Sequence, residues 1–248
     1  SRNHSLDLPP GTHNLTSETI LSLQYLSFFH PMMLDYAVSI NFDAVSIMRC
    51  GRFDESVYLF RTLLTAVQET APLQGGYSDP QGMVVSIPVN GGGPAGSSSL
   101  FDRAFIFEGT SHLTNTDKNS SLCASVGLYN MALTVHLQAL TTGGPSCLTK
   151  ASGLYQKALV ILQALAPRPT ESVTSLLLAT VLNLIACESE LGGYHSAKPW
   201  INLYKRLYPW ATQSSRTSAV LRSPDEAQLF MASSFFYSNR IFDTAAAA

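Results

Sequence analysis

Apolar residues recur every three or four positions along this chain, in stretches cut off by glycine, and that pattern constrains it more than any other feature. From Leu34, the residues Tyr36, Ala37, Ile40, Ala44, Ile47 and Met48 mark one face of a helix. Gly51 stops that helix. Phe53-Asp54-Glu55 opens a second, with acids in its first turn where the helix dipole favours them. Its apolar positions are Val57, Phe60, Leu63, Leu64 and Val67. Helices joined by so short a turn lie antiparallel. The pattern returns near Ser121 with Val126, Tyr129, Ala132, Leu133, Val135, His136 and Leu140, and stops at Gly143-Gly144-Pro145. A partner helix follows from about Leu148 to Leu165, ended by Pro167 and Pro169. Thr170-Glu171 then begins a long helix closed by Gly192-Gly193, and another runs from Tyr194 to Tyr208, ended by Pro209. Ser223-Pro224-Asp225-Glu226 combines an N-cap, a first-turn proline and acids, and predicts a last helix reaching about Asn239.

Residues 71–117 break the helical period. Met83-Val84-Val85-Ser86-Ile87-Pro88-Val89 is short and β-branched, and Pro88 restricts it to an edge strand. Asn90 to Ser99 is Gly- and Ser-rich and reads as a flexible connection. Phe101 to Glu108 alternates well enough for a second strand. A small β-hairpin inserted into a helical protein is therefore expected. The organisation is an extended lead-in over 1–33, a helical domain over 34–240 with this insertion, and a tail over 241–248. Within the lead-in, Ile20 to Phe29 reads as a strand or a short helix.

Compared with one another, the helix pairs share features. The first includes Asn41, Ala44, Gly51, Phe53, Ser56 and Phe60. The second includes Tyr129-Asn130-Met131-Ala132, Ala151 and Tyr155. The third includes Asn183-Leu184, Gly192, Tyr194, Ala197, Ile201 and Pro209. This resembles the tetratricopeptide repeat (TPR), a helix–turn–helix unit of about 34 residues. Small residues at its contact positions match Ala44 and Ala132 on the first helices, and Ser56, Ala151 and Ala197 on the second. Ile185 departs from the pattern, the spacing between units is irregular, and the second unit needs an insertion at Thr141 to Cys147. The resemblance covers about 100 of the 248 residues. It implies a mainly α fold: TPR-like antiparallel helix pairs stacked as a short right-handed solenoid, with the hairpin inserted. Another all-helical arrangement is the alternative.

Such stacks present a concave groove to a protein segment. Transferred residue by residue, the resemblance places Asn41, Val45, Met48 and Arg49 of the first unit in that groove. From the second it places Tyr129, Leu133, His136 and Leu137, and from the third Leu182, Ala186, Ser189 and Glu190. Val38, Val126 and Ala179 complete the transferred set. Intramolecular core is the competing role for Tyr129, Leu133 and His136. The Lys/Arg–Asn pair that clamps a carboxylate in this family is missing, so an amphipathic helix or a subunit surface is the expected ligand.

Composition agrees with an interaction protein. Charged residues are 13% of the chain against about 25% in an ordinary soluble domain. The net charge of −2 disfavours nucleic-acid binding. The longest near-apolar run, Val173 to Cys187, is too short and too polar for a transmembrane helix and reads as a buried one. Cys50, Cys123, Cys147 and Cys187 are scattered and read as reduced and structural, which fits an intracellular protein. No CxxC, HExxH, GxSxG or P-loop lysine occurs, and Glu188 and Glu190 point to different helix faces. No catalytic residue, cofactor or metal is assigned. Asp43 lies near an apolar helix face, where a carboxylate needs a partner such as Arg49, Arg52 or Arg103; anchoring a basic group of a partner protein is the functional alternative. The leading expectation is a non-catalytic interaction or scaffold subunit of a hetero-complex. The alternative is an all-helical enzyme or small-ligand-binding protein, its site between insert and groove near Asp102, His112 and His136.

Overall fold

The computed structural model describes residues 34–69, 83–89, 100–108, 117–165, 171–213, 227–235 and 237. The lead-in with its 20–29 segment, the 90–99 connection, His112, the Ser223 helix start and the tail lie outside these residues. The fold is mainly helical with a small two-stranded sheet.

The first pair is α1 (34–49) and α2 (Phe53–Glu69). Gly51 adopts φ 75°, which reverses the chain without a Cβ penalty, and its N–H satisfies Met48 O at 2.9 Å. The chain doubles back so closely that Ser56 Oγ donates to Ala44 O at 2.8 Å. The hairpin follows: β1 (Met83–Pro88) and β2 (Arg103–Glu108), antiparallel, with Ser86 opposite Phe105 and Ile87 opposite Ala104.

The next pair is α3 (Asp117–Thr142) and α4 (Pro145–Leu165). Two boundaries differ from expectation. The third helix starts at Asp117 rather than near Ser121. Pro145, expected to belong to a stop, is the first residue of α4, where its missing N–H costs nothing. The helix α5 (Glu171–Gln213) is broken at Gly193, whose φ of 68° and ψ of −161° turn the chain into a second limb. That limb continues through Pro209, where the residue pattern predicts its end. Pro199 and Pro209 are both exposed, on a face where water can serve the carbonyls they leave unpaired. A last helix, α6, is described over 227–235.

In sequence order, α2 packs on α3, α3 on α4 and α4 on α5, while α3 also meets α5 and β2. The helix α3 is therefore central and is buried nearly all round from Leu122 to Leu137. Ala132, Ala151 and Ala197, the small residues placed at helix contacts, are fully buried. The apolar limb of α5 from Val173 to Cys187 is buried throughout. Among the described residues one helix, Val173–Pro209, has the length and apolar composition to cross a membrane, but 67% of its apolar window is covered by the protein itself. Tyr204 Oη donates to Phe230 O at 2.8 Å, which seats α6 on the second limb of α5. Phe230 is buried there, whereas Phe235 is 71% exposed.

Candidate functional site: a clasp on an extended strand

A two-stranded hairpin leaves each strand one unpaired edge, and an unpaired edge buried in protein is costly. The edge of β2 that turns away from β1 is buried against helices, and helix side chains take the place of a third strand. Asn183 of α5 pairs with one residue's main chain: Phe101 N–H donates to its Oδ1 at 2.8 Å and its Nδ2 donates to Phe101 O at 3.1 Å. Asn130 of α3 does the same at Phe105, with 2.9 Å from Phe105 N to Oδ1 and 2.7 Å from Nδ2 to Phe105 O. Asn41 of α1 gives the same carbonyl a second donor at 3.0 Å. Between these anchor points Tyr129 Oη donates to Arg103 O at 3.1 Å.

The clasp is knit into a network. The second Nδ2 hydrogen of Asn130 goes to Asn41 Oδ1 at 2.9 Å, so both of its amide donors are used. That network fixes the amide orientation, since a flip would set Nδ2 against the Phe105 N–H. Asn183 Nδ2 also lies 3.1 Å from Tyr129 Oη and from Tyr155 Oη. Phe101 stacks on Phe230 at 5.0 Å and lies 6.0 Å from Phe105, which meets Tyr129 edge-on at 5.1 Å. Tyr155 and His136 continue the row. Phe101, Ala104 and Phe105 are all but fully buried.

On its other side β2 pairs with β1, whose far edge is blunted by Pro88, which has no N–H, and by Arg103. The Arg103 guanidinium donates to Ser86 Oγ at 2.6 Å and to Ser86 O at 3.0 Å.

Of the groove positions transferred by resemblance, Asn41, Val45, Met48, Tyr129, Leu133, His136, Leu137, Leu182 and Ala186 are buried within the chain. Arg49, Ser189 and Glu190 are exposed. Asn41 and Tyr129 hold the strand directly, and Val45, Met48, Leu133, Leu137 and Leu182 pack in the hydrophobic core. The clasp residues absent from that set are Asn130 and Asn183. Each is an asparagine in the interior of a helix among apolar neighbours, a place where an amide is unfavourable unless it has partners.

His136 and Cys187 meet, with Cys187 Sγ 3.4 Å from His136 Nδ1. Burial pushes His136 down to about 4 and pushes the Cys187 thiol well up, the latter reinforced by the charges of Glu190 and Glu188. Both groups are held neutral, the reverse of an activated thiolate–imidazolium pair. Asp102 is exposed, whereas His136 is fully buried. Asp43 is exposed, which corrects the expectation of a carboxylate in need of a partner. Arg52 pairs with Glu55 instead. Among the described residues no group of three His, Cys, Asp or Glu side chains could hold a metal ion. An open depression of about 930 Å³ lies between α2, α3 and α4. Its wall is apolar apart from Gln68, Gln156 and Lys157. Cys50 is exposed, unlike the buried Cys123 and Cys187.

Comparison with protein-family models, with curated proteins and with solved structures found no match to this chain.

Proposed function

We propose that this chain is a non-catalytic protein-interaction or scaffold subunit of a hetero-complex, built as a TPR-like right-handed stack of helix pairs. One observation carries the reading: α1, α3 and the first limb of α5 each send an asparagine to the main chain of one extended segment. Helices that converge on an extended backbone form a frame for holding protein chain. The Ser56–Ala44 contact and the burial of Ala132, Ala151 and Ala197 support the repeat-like pairing. Tyr36, Phe42, Tyr58, Met231 and Phe235 keep large apolar surface in solvent, which supports a subunit with further neighbours. The neutral, buried His136–Cys187 pair supports a role without turnover.

The test is to isolate the full chain under native conditions, weigh the assembly by light scattering and map contacts by cross-linking. A stoichiometric protein partner cross-linked to the helical frame is the expected result. A lone 26.8 kDa species at every concentration, with no cross-linked partner, refutes the proposal.

A further inference from the structure

The hydrogen bonds that hold β2 from the helical side go to main-chain atoms, and main chain is common to every sequence. Selectivity therefore rests on side-chain fit: two phenyl rings four residues apart, Phe101 and Phe105, with the small, fully buried Ala104 between them in sequence. Main-chain bonds for affinity and side-chain pockets for choice are the general terms on which a protein takes up an added strand. The far edge of β1, blunted by Pro88 and Arg103, is a poor place for such a strand. The amide edge offered by Asn183, Asn130 and Asn41 is a good one.

We infer that the seat of β2 is a strand-binding site, and that β2 is its resident ligand, exchangeable for an extended segment of a partner protein. That segment carries aromatic residues at i and i+4 and a small residue at i+3. The inference rests on the interaction-module reading and names the partner's chemistry. An incoming strand of this kind satisfies the same three asparagines, so exchange leaves no clasp amide unpaired. What favours the resident is its covalent tether, equivalent to an effective concentration of about 1 mM or more.

Native-state hydrogen exchange on the full chain tests this. The Phe101 and Phe105 amides, bonded to Asn183 and Asn130, report opening of the seat. They are expected to exchange at least about tenfold faster than amides in the middle of α3, through an opening smaller than global unfolding. A labelled nonapeptide with the sequence of residues 100–108, added at several times about 1 mM, is expected to bind and to deprotect those two amides in the chain. The same peptide with alanine at both phenylalanine positions is expected to do neither. The inference is overturned if the Phe101 and Phe105 amides exchange only together with α3. It is also overturned if the peptide binds and leaves them protected. A doubled mass by light scattering, with hairpins exchanged between copies, replaces the partner strand by a second copy and overturns the inference as stated. A chain that keeps its seat closed yet co-purifies with a stoichiometric partner sinks strand exchange alone and leaves the scaffold reading standing.

Discussion

Removing Asn130 is the sharpest probe of the clasp, because its side chain makes three of the buried hydrogen bonds. In Asn130→Ala the Phe105 carbonyl keeps a donor from Asn41, so it is not orphaned. The Phe105 N–H and Asn41 Oδ1 each lose the partner that Asn130 supplied. A buried donor or acceptor left unpaired costs about 1–3 kcal/mol. Two such groups put the destabilisation at about 2–6 kcal/mol, a large share of the roughly 5–15 kcal/mol that holds an ordinary domain folded. Urea unfolding followed by far-ultraviolet circular dichroism measures it, with Asn202→Ala, an exposed asparagine on α5, as the control. The control should stay within about 0.5 kcal/mol of the parent. The cycle of Asn41→Ala, Asn130→Ala and the double variant should show a coupling of about 0.5–3 kcal/mol, since the two side chains share a hydrogen bond and a carbonyl. If Asn130→Ala is no more costly than Asn202→Ala, or if the cycle is additive, the clasp does not hold the strand.

His136 should give stability a pH dependence of defined sign. Its folded value of about 4 lies below the ordinary 6.5, so the unfolded chain takes up the proton first as pH falls. Its contribution is complete above about pH 6.5, declines between 6.5 and 4 by at most about 3 kcal/mol, and is gone below. The gap between parent and His136→Gln in urea melts should therefore narrow from pH 7 to pH 4.5, and a constant gap would show that His136 is not buried neutral. Ala132→Phe and Ala197→Phe should each cost about 1–3 kcal/mol by overpacking, read from the same melts, and unchanged stability would disprove the close contacts assigned to both. With a thiol reagent, Cys50 should label in the native protein while Cys123 and Cys187 wait for unfolding. Burial pushes Cys123 up to about 12 and Cys187 higher still, so native labelling of either would contradict their placement.

Much of the fold was legible in the residues because its signals are local. The three- and four-residue spacing of apolar side chains marks helices wherever they end up, and the turns at Gly51 and Gly193 follow from positive φ values that glycine adopts without strain. The strands at 83–88 and 103–108 were visible from β-branching and alternation. Misreadings fell where proline has two meanings. Pro145 starts a helix and Pro209 is carried through one, and the choice depends on neighbours and solvent rather than on the proline itself. Asp43 departs from expectation because its place beside the apolar stripe of α1 is close enough to solvent for the carboxylate to stay exposed.

The clasp was legible only in fragments. Asn41, Asn130 and Asn183 each stood out among the features of their helix pairs, yet only Asn41 fell at a transferred groove position. Each helix's periodicity tells which side chains share its face, and so the chain alone determined a set of amphipathic helices and a short hairpin. Which helix face meets which is a matter of long-range packing, and no local pattern encodes it. Only the tertiary structure brings three amides from distant parts of the chain onto one extended segment, at Phe101 and Phe105. It does so because the buried edge of β2 has to be satisfied, and helix side chains are what the fold places beside it.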